Sequence, residues 1–371
     1  MGNVRILHTG DLHFGASIGG FSLLPEQEAL VEMLLKIVAE QSIDAAVLTG
    51  DIFDRAVSSS EAIALYDRFL TALCRQCPVY LIAGNHDGAA RLASLAGLLR
   101  GAGLYVQGSL REKPQPIRQA DAEFWLIPYF NAEQVRLLYP NAGIRSANDA
   151  MRALMDDVRA RRDPAACTIV AAHCFVTGAS PSGSDTSAVL AGAGQVGADV
   201  FQDIPYAALG HLHRAQQPAP NVRYSGSPYP YSFSEGEKSV TIFDTATRQI
   251  TEIPLHHART LRTVRGTFDE VLALPTSEDY LQIELTDRGA GLETLDTLRA
   301  RFPRLVTLLG RQAAGGEATT LTVEELRTLS HRPADLVGRF CEEIGGSAAQ
   351  QEHITLFLEL LREIQEGGGE Q

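Results

Sequence analysis

At 371 residues, with 45% hydrophobic and 21% charged residues and a net charge of −13, the chain is too apolar for wholesale disorder and long enough for a main domain with smaller units attached. No apolar run approaches the ~18 residues of a spanning helix, and the start Met1-Gly2-Asn3-Val4-Arg5 leads into a strand rather than a signal peptide, so a cytoplasmic protein without a membrane partner is expected. The acidity excludes a generally basic surface, and any contact with nucleic acid has to be local, metal-assisted or supplied by a partner.

In chain order, apolar runs alternate with amphipathic helical stretches. A strand at Val4 to Leu7 is followed by a helix from about Pro25 to Gln41 and a strand at Ala45 to Leu48. A helix over Ser60 to Arg75, a strand at Val79 to Ile82, a helix from Arg91 and a strand at Phe124 to Ile127 repeat the pattern, as layered α/β folds require. A helix over Ala147 to Arg161 and a strand at Thr168 to Ala171 come next, then a Gly-, Ser- and Ala-rich stretch, Gly178 to Gly197, that reads as a long surface loop. From Tyr206 the chain turns to short strands, at Tyr206 to Leu209, Val222 to Tyr224, Ser239 to Phe243 and Gln249 to Ile253. These are expected to form a second sheet packed on the first.

Around residue 256 a small separate α/β unit begins: strand Thr260 to Gly266, a short helix, strand Tyr280 to Leu285, helix Leu292 to Arg301 and strand Leu305 to Leu309. Two final helices, Arg332 to Ile344 and Gln350 to Ile364, precede a frayed tail. The expected division is therefore 1–255, 256–331 and 332–371. Five cysteines without framework spacing, including the lone pair Cys74 and Cys77, read as free thiols, because no second pair completes four zinc ligands.

The chemistry gathers where predicted strands end, the place at which an open α/β sheet sets its ligand crevice. Gly10-Asp11-Leu12-His13, Gly50-Asp51, Gly84-Asn85-His86-Asp87, His173 and Gly210-His211-Leu212-His213 each follow a strand. Asp11 with His13, and His211 with His213, are spaced so that a tight turn can aim both side chains at one point, with glycine supplying the unusual backbone angles. Mixed Asp, Asn and His donors suit Mn²⁺, Fe²⁺ or Zn²⁺. Seven such groups are enough for two ions sharing a carboxylate, and Asp51, alone on its strand, is the natural bridge. His8, His256, His257, His331 and His353 fall outside the pattern and are assigned to structure or solvent.

The ordered blocks D-x-H, G-D, G-N-H-D, H and G-H-x-H resemble the calcineurin-like metallophosphoesterase superfamily. Within it the chain is similar to the SbcD-like nuclease subunits, bacterial relatives of the meiotic-recombination nuclease family. Ile6 to Gly15, Gly50-Asp51-Ile52-Phe53-Asp54, Leu209 to Arg214, Val222 to Pro228, and Ser232-Phe233-Ser234-Glu235 followed by Lys238-Ser239-Val240 carry that closer likeness. It extends over residues 1 to about 255; beyond them only the architecture is similar.

The resemblance implies an α/β fold, a four-layer β-sandwich flanked by helices, with a small α/β capping domain and C-terminal helices. It implies two divalent ions, Mn²⁺ in this reading, one held by Asp11, His13, Asp51 and His213 and the other by Asp51, Asn85, His173 and His211. His86 would be a catalytic group rather than a ligand, protonating the leaving 3′ oxygen or stabilising the transition state, and Asp87 would orient its ring. The implied activity is metal-dependent hydrolysis of DNA, 3′ to 5′ on duplex ends and endonucleolytic on single strands and hairpins, in DNA repair and recombination. The partner would be an SbcC-type ATPase bound through the C-terminal helices. A homodimer through Ala62 to Leu73 is a further expectation, although that stretch equally reads as a core helix. No DNA-binding residues can be named: residues 256–371 hold 12 arginines and no lysine against 19 acidic residues. The alternative is a small-substrate metallophosphoesterase acting on cyclic nucleotides or nucleotide pyrophosphates with the same metal blocks.

Overall fold

Successive residues of the first strand, Arg5–Thr9, face two different cores. Ile6 points into an apolar layer with Val47, Ile82, Phe124, Ile169 and Ala208, whereas Leu7 points the other way among Leu30, Leu34, Leu48 and Phe69. A strand buried on both faces reads as an unbroken apolar run, which is why alternation is weak here. In this computed structural model residues 2–184, 194–310 and 354–355 are described.

Two six-stranded sheets lie face to face. The first runs in the order Ile250–Leu255, Lys238–Asp244, Arg5–Thr9, Ala45–Leu48, Val79–Ile82, Leu104–Gln107. Its last four strands are parallel, and Leu24–Glu40 and Ser60–Cys74 are the first crossover helices. The second runs Gln216–Ala219, Val222–Tyr224, Tyr206–Gly210, Cys167–His173, Ala122–Ile127, Ile117–Gln119, with its central four strands parallel. Helix Ala147–Arg161 covers its outer face through Met151, Leu154, Met155 and Val158. Helix, sheet, sheet and helix thus make the four layers expected, and the inner layer is closed by ring stacks, Tyr80 on Phe124 at 3.8 Å and Tyr206 on Phe243 at 4.1 Å.

The strands after Tyr206 do not all build the second sheet. Lys238–Asp244 and Ile250–Leu255 return to the first, the former antiparallel to Arg5–Thr9. Val240 and Ile242 face the helix-side core and Phe243 the inter-sheet core, so this strand is apolar on both faces and needs an interior place in the sandwich. Edge elements escape the periodicity, namely Leu104–Gln107, Ile117–Gln119, Gln216–Ala219 and helix Ala132–Leu138. The stretch read as a loop also contains Gln195–Val196, paired with Phe175–Val176; residues 185–193 lie outside the described residues.

The apolar face of helix Ser60–Cys74, expected either at a dimer contact or in the core, is core: Ala62, Leu65, Phe69, Leu70 and Leu73 are buried within the chain. No helix among the described residues is long and apolar enough to cross a membrane. His8 is buried between the sheets, with Nδ1 2.8 Å from the Tyr206 hydroxyl and Nε2 3.2 Å from the Leu209 carbonyl. Burial pushes its imidazole down to about 3, so it packs as a neutral group.

Beyond residue 256 a parallel three-stranded sheet, Leu261–Gly266, Tyr280–Leu285 and Leu305–Leu309, carries helices Phe268–Ala273 and Leu292–Arg301. It has its own core of Val271, Ile283, Leu298 and Phe302. The Arg259 guanidinium reaches Glu26 at 3.0 Å, and Tyr280 packs against Phe21, tying this unit to the first helix of the sandwich and to the segment just before it. The end of the expected capping domain and the C-terminal helical segment assigned to partner binding lie outside the described residues, except for residues 354–355, which are helical as expected.

Phe124→Ala removes a fully packed ring from the inner layer, and is expected to lower unfolding stability by ~3–5 kcal/mol in denaturant titration.

Candidate metal centre

The C-terminal ends of the parallel strands of both sheets arrive at one edge of the sandwich, and the loops there are joined by main-chain bonds. Asp11 N–H donates to the Gly50 carbonyl at 2.9 Å, His13 N–H to Asp51 at 3.0 Å and Phe14 N–H to Ile52 at 2.8 Å. Gln27, on the first helix, adds its amide: Nε2 donates to the His13 carbonyl at 2.7 Å and Oε1 accepts from Gly15 N–H at 2.9 Å. The expectation that glycine supplies the unusual backbone angles is only partly met. Four of the functional candidates adopt them themselves, Asp11 at φ 51°, His13 at 44°, Asp51 at 48° and His211 at 107°. Such conformations cost ~1–3 kcal/mol each and persist only where the surroundings enforce them. Gly84 has a different reason to be glycine: a Cβ there would run into Asp51 Oδ1.

All seven candidate ligands come together. Asp11, His13 and His213 form one group and Asp51, His173 and His211 another, with the donor atoms of each group within 4.8 Å of one another. Asp51 Oδ2 is 3.4 Å from His173 Nε2 and 3.9 Å from His13 Nε2, so it stands between the groups. Asn85 joins the second group, its Oδ1 2.9 Å from both His173 Nε2 and His211 Nδ1. The cleft above them has a volume of about 200 Å³ and is also lined by Ser17, Asp54, His86, Ser184 and Tyr231.

Burial pushes the Asp11 carboxyl up to about 7. It acts the same way on Asp51, but the adjacent His173 outweighs it and holds that carboxyl well below the usual range. Burial works to lower His173; Asp51 outweighs it and raises the imidazole to about 9. Burial and neighbouring imidazoles push His13 and His211 down to about 3, leaving neutral rings of the kind metals bind. His13 Nε2 faces His213 Nε2 at 3.1 Å, and at most one proton fits between them. Nitrogen lone pairs and carboxylate oxygens converging without thiolates fit a divalent cation of the Mn²⁺, Fe²⁺ or Zn²⁺ class.

Outer contacts fix the rings. His173 Nδ1 lies 2.8 Å from the Thr49 carbonyl, which can only accept, so Nδ1 carries the proton and Nε2 faces the centre. His13 Nδ1 has Asp54 Oδ1 at 3.7 Å. His213 Nδ1 meets Ser184 Oγ at 2.9 Å and Glu235 Oε1 at 3.4 Å.

His86 is exposed at the cleft beside His13, with ring centroids 4.9 Å apart. Its Nδ1 donates to the Asp54 carbonyl at 2.9 Å, and its main-chain N–H donates to Asp51 Oδ1 at 2.8 Å. Asp87, expected to orient this ring, does something else: its buried carboxylate accepts from the N–H groups of Ile52, Phe53 and Gly84 at 3.2, 3.0 and 2.8 Å. The ring is oriented by the Asp54 main chain, and Asp87 holds two loops together. Burial and Asp51 push the Asp87 carboxyl up to about 6.

Gln27, Asp54, Ser184 and Glu235 are site residues that the sequence did not single out. Asp54 and Glu235 stand in segments that carry the family likeness, which was the available signal; Gln27 and Ser184 offered none.

Two family models match the chain. One, described as calcineurin-like phosphoesterase, covers residues 4–215; the other, the SbcD C-terminal model described as type 5 capsule protein repressor C-terminal domain, covers 257–344. Among solved structures, the TT1561 protein of Thermus thermophilus matches at 16% identity and TM-score 0.42, covering 69% of this chain and 100% of that one. A novel archaeal phosphodiesterase matches at 11% and 0.31, covering 68% and 99%. GAP50, the anchor in the inner membrane complex of Plasmodium, matches at 12% and 0.39, covering 85% and 99%.

Mn²⁺ is expected to raise the thermal unfolding midpoint, EDTA to reverse the shift, and the stabilisation to grow by ~1.4 kcal/mol for each bound ion per tenfold excess of free ion over that site's dissociation constant. Asp51→Asn, which removes the carboxylate that stands between the two groups, should remove most of that shift in differential scanning calorimetry.

Proposed function

We propose that this chain, which belongs to the calcineurin-like phosphoesterase family and is SbcD-like, is a metal-dependent DNA nuclease subunit. It hydrolyses phosphodiester bonds 3′ to 5′ from duplex ends and endonucleolytically in single strands and hairpins, in the cytoplasm, in DNA repair and recombination. The observation that carries the reading is the SbcD C-terminal match over residues 257–344, which follows two groups of side chains able to hold metal ions. Hydrolysis of a small phosphoester would need little beyond the sandwich. In this proposal 1–255 is the nuclease domain, 256–331 a capping domain and 332–371 a helical segment that binds an SbcC-type ATPase.

Two divalent ions, Mn²⁺ in this proposal, would be held by Asp11, His13, Asp51 and His213 and by Asp51, Asn85, His173 and His211. Bound there they would supply Lewis-acid stabilisation of the phosphoryl group and an activated water. The chain's own contribution is geometric and protic. The His86 ring is tethered through Nδ1 to the Asp54 carbonyl, which leaves Nε2 to donate a proton to the leaving 3′ oxygen. Asp87 pins the Ile52, Phe53 and Gly84 main chain, and so keeps the loop bearing Asn85 and His86 in register with the loop bearing Asp51.

Incubation with end-labelled linear duplex and Mn²⁺ tests this. The parent is expected to shorten DNA stepwise from 3′ ends, and His86→Ala to lose activity by ~10²- to 10⁴-fold with its Mn²⁺ content unchanged. Equal rates would remove His86 from the mechanism. A parent inert on DNA with an SbcC-type ATPase present, but active on cyclic nucleotides or nucleotide pyrophosphates, would replace the nuclease reading with the small-substrate one.

The partner assignment is tested separately. Ending the chain after Gly338 is expected to abolish capture of the ATPase coiled coil in a pull-down and to leave Mn²⁺ content intact; retained capture would place the contact elsewhere.

A further inference from the structure

Behind His213, on the side away from the cleft, lies a buried charged pair that the mechanism above does not use. The Glu235 side chain is 0% exposed and that of Lys238 5%. The Lys238 ammonium donates to Glu235, to the Ser227 hydroxyl at 2.8 Å and to the main-chain carbonyl of His213 at 2.9 Å. Glu235 Oε2 also accepts from the Tyr231 N–H and the Ser227 hydroxyl, both at 3.3 Å. Its other oxygen, Oε1, accepts from Ser184 Oγ, which in turn lies 2.9 Å from His213 Nδ1.

The direction of this chain is set by its ends. A carboxylate can only accept, so the Ser184 hydroxyl proton points at Glu235 and its lone pairs face His213. His213 must then donate through Nδ1–H, and Nε2 carries the lone pair, aimed at His13 Nε2, 3.1 Å away. We infer that Glu235, locked by Lys238, is the positioning residue that fixes the tautomer and orientation of His213 through Ser184, and thereby tunes the Asp11, His13 and His213 group for its ion. This rests on the metal-centre reading given above.

The pair is otherwise difficult to account for. Burying a carboxylate and an ammonium together is seldom more stabilising than an apolar pair of similar volume. Here the pair holds His213 from both sides, the ammonium on its carbonyl and the carboxylate, through Ser184, on its ring. The second group is backed differently: the outer nitrogen of His173 meets the neutral Thr49 carbonyl.

Removing Glu235 alone would strand a buried ammonium and endanger folding, so the test changes both residues. Glu235→Leu with Lys238→Met leaves an apolar pair, whereas Glu235→Gln with Lys238→Met keeps an acceptor oxygen toward Ser184. Mn²⁺ titrations read by electron paramagnetic resonance give the number of ions bound and the affinity of each, independently of activity, and circular dichroism reports the fold. The Leu/Met variant is expected to stay folded and to bind one of its two ions ~10- to 100-fold more weakly, the usual cost of losing an outer partner of a ligating histidine. The Gln/Met variant is expected to recover most of that loss. Two ions bound with parental affinity by the Leu/Met variant, or an equal loss in both variants, would overturn the role of Glu235. A parent that takes up no Mn²⁺ would overturn the metal-centre reading and this inference with it.

Discussion

Two buried carboxylates, Asp11 and Asp51, stand among four imidazoles at the edge where both sheets end, and much of the surrounding structure serves to keep them there. Left to themselves these groups would separate or take up protons, as the raised Asp11 and His173 illustrate. They are held by a frame whose bonds are mostly main chain: the loop after Arg5–Thr9 is joined to the loop after Ala45–Leu48, and Asp87 ties the latter to the loop after Val79–Ile82. Left-handed backbone at Asp11, His13, Asp51 and His211 is the conformational cost of turning side chains on adjacent loops toward one place. A buried two-sheet core offsets that cost, which explains why the strained positions lie at the rim of the best-packed part of the molecule.

The same constraint orders the outer contacts. A ring that presents one nitrogen to a cation must commit its other nitrogen to a partner. His173 uses the Thr49 carbonyl, at the end of a strand of the first sheet, so its geometry follows directly from the sandwich. His213 relies instead on Ser184 and on Glu235, which stand in segments with little regular structure, and such a segment keeps its place only if something anchors it. Lys238, the first residue of a strand that is hydrogen-bonded to Arg5–Thr9, supplies that anchor.

Much of this was legible in the sequence. The seven candidate ligands and His86 follow apolar runs, and strand ends were predictable wherever a run was buried on both faces and stopped at Gly-Asp, Gly-Asn or Gly-His. Elements that cover edges were not: Leu104–Gln107 and Ile117–Gln119 are half buried and short, so neither their composition nor their period stood out. Sheet membership of Lys238–Asp244 was misjudged because local pattern says that a strand is buried but not which neighbours bury it. Asp87 was misassigned for a related reason. Adjacency in sequence placed it near His86, whereas its carboxylate is turned into three N–H groups that only the folded loops bring together. The Asp54 carbonyl, which does orient that ring, is main chain and leaves no mark in the residue code.

The net charge of −13 bears on how such a centre would meet a polyanion. At the cleft Arg55 is paired with Asp54, and Arg214 donates to the Ser234 carbonyl. Long-range attraction from the protein surface is therefore weak, and the positive charge opposite a phosphate would come chiefly from the ions. On the nuclease reading, acidity and partnership then bear on one another: an ATPase that delivers a DNA end to this edge would supply the attraction for duplex DNA that an acidic subunit lacks, and would raise a hydrolysis that the centre alone performs slowly.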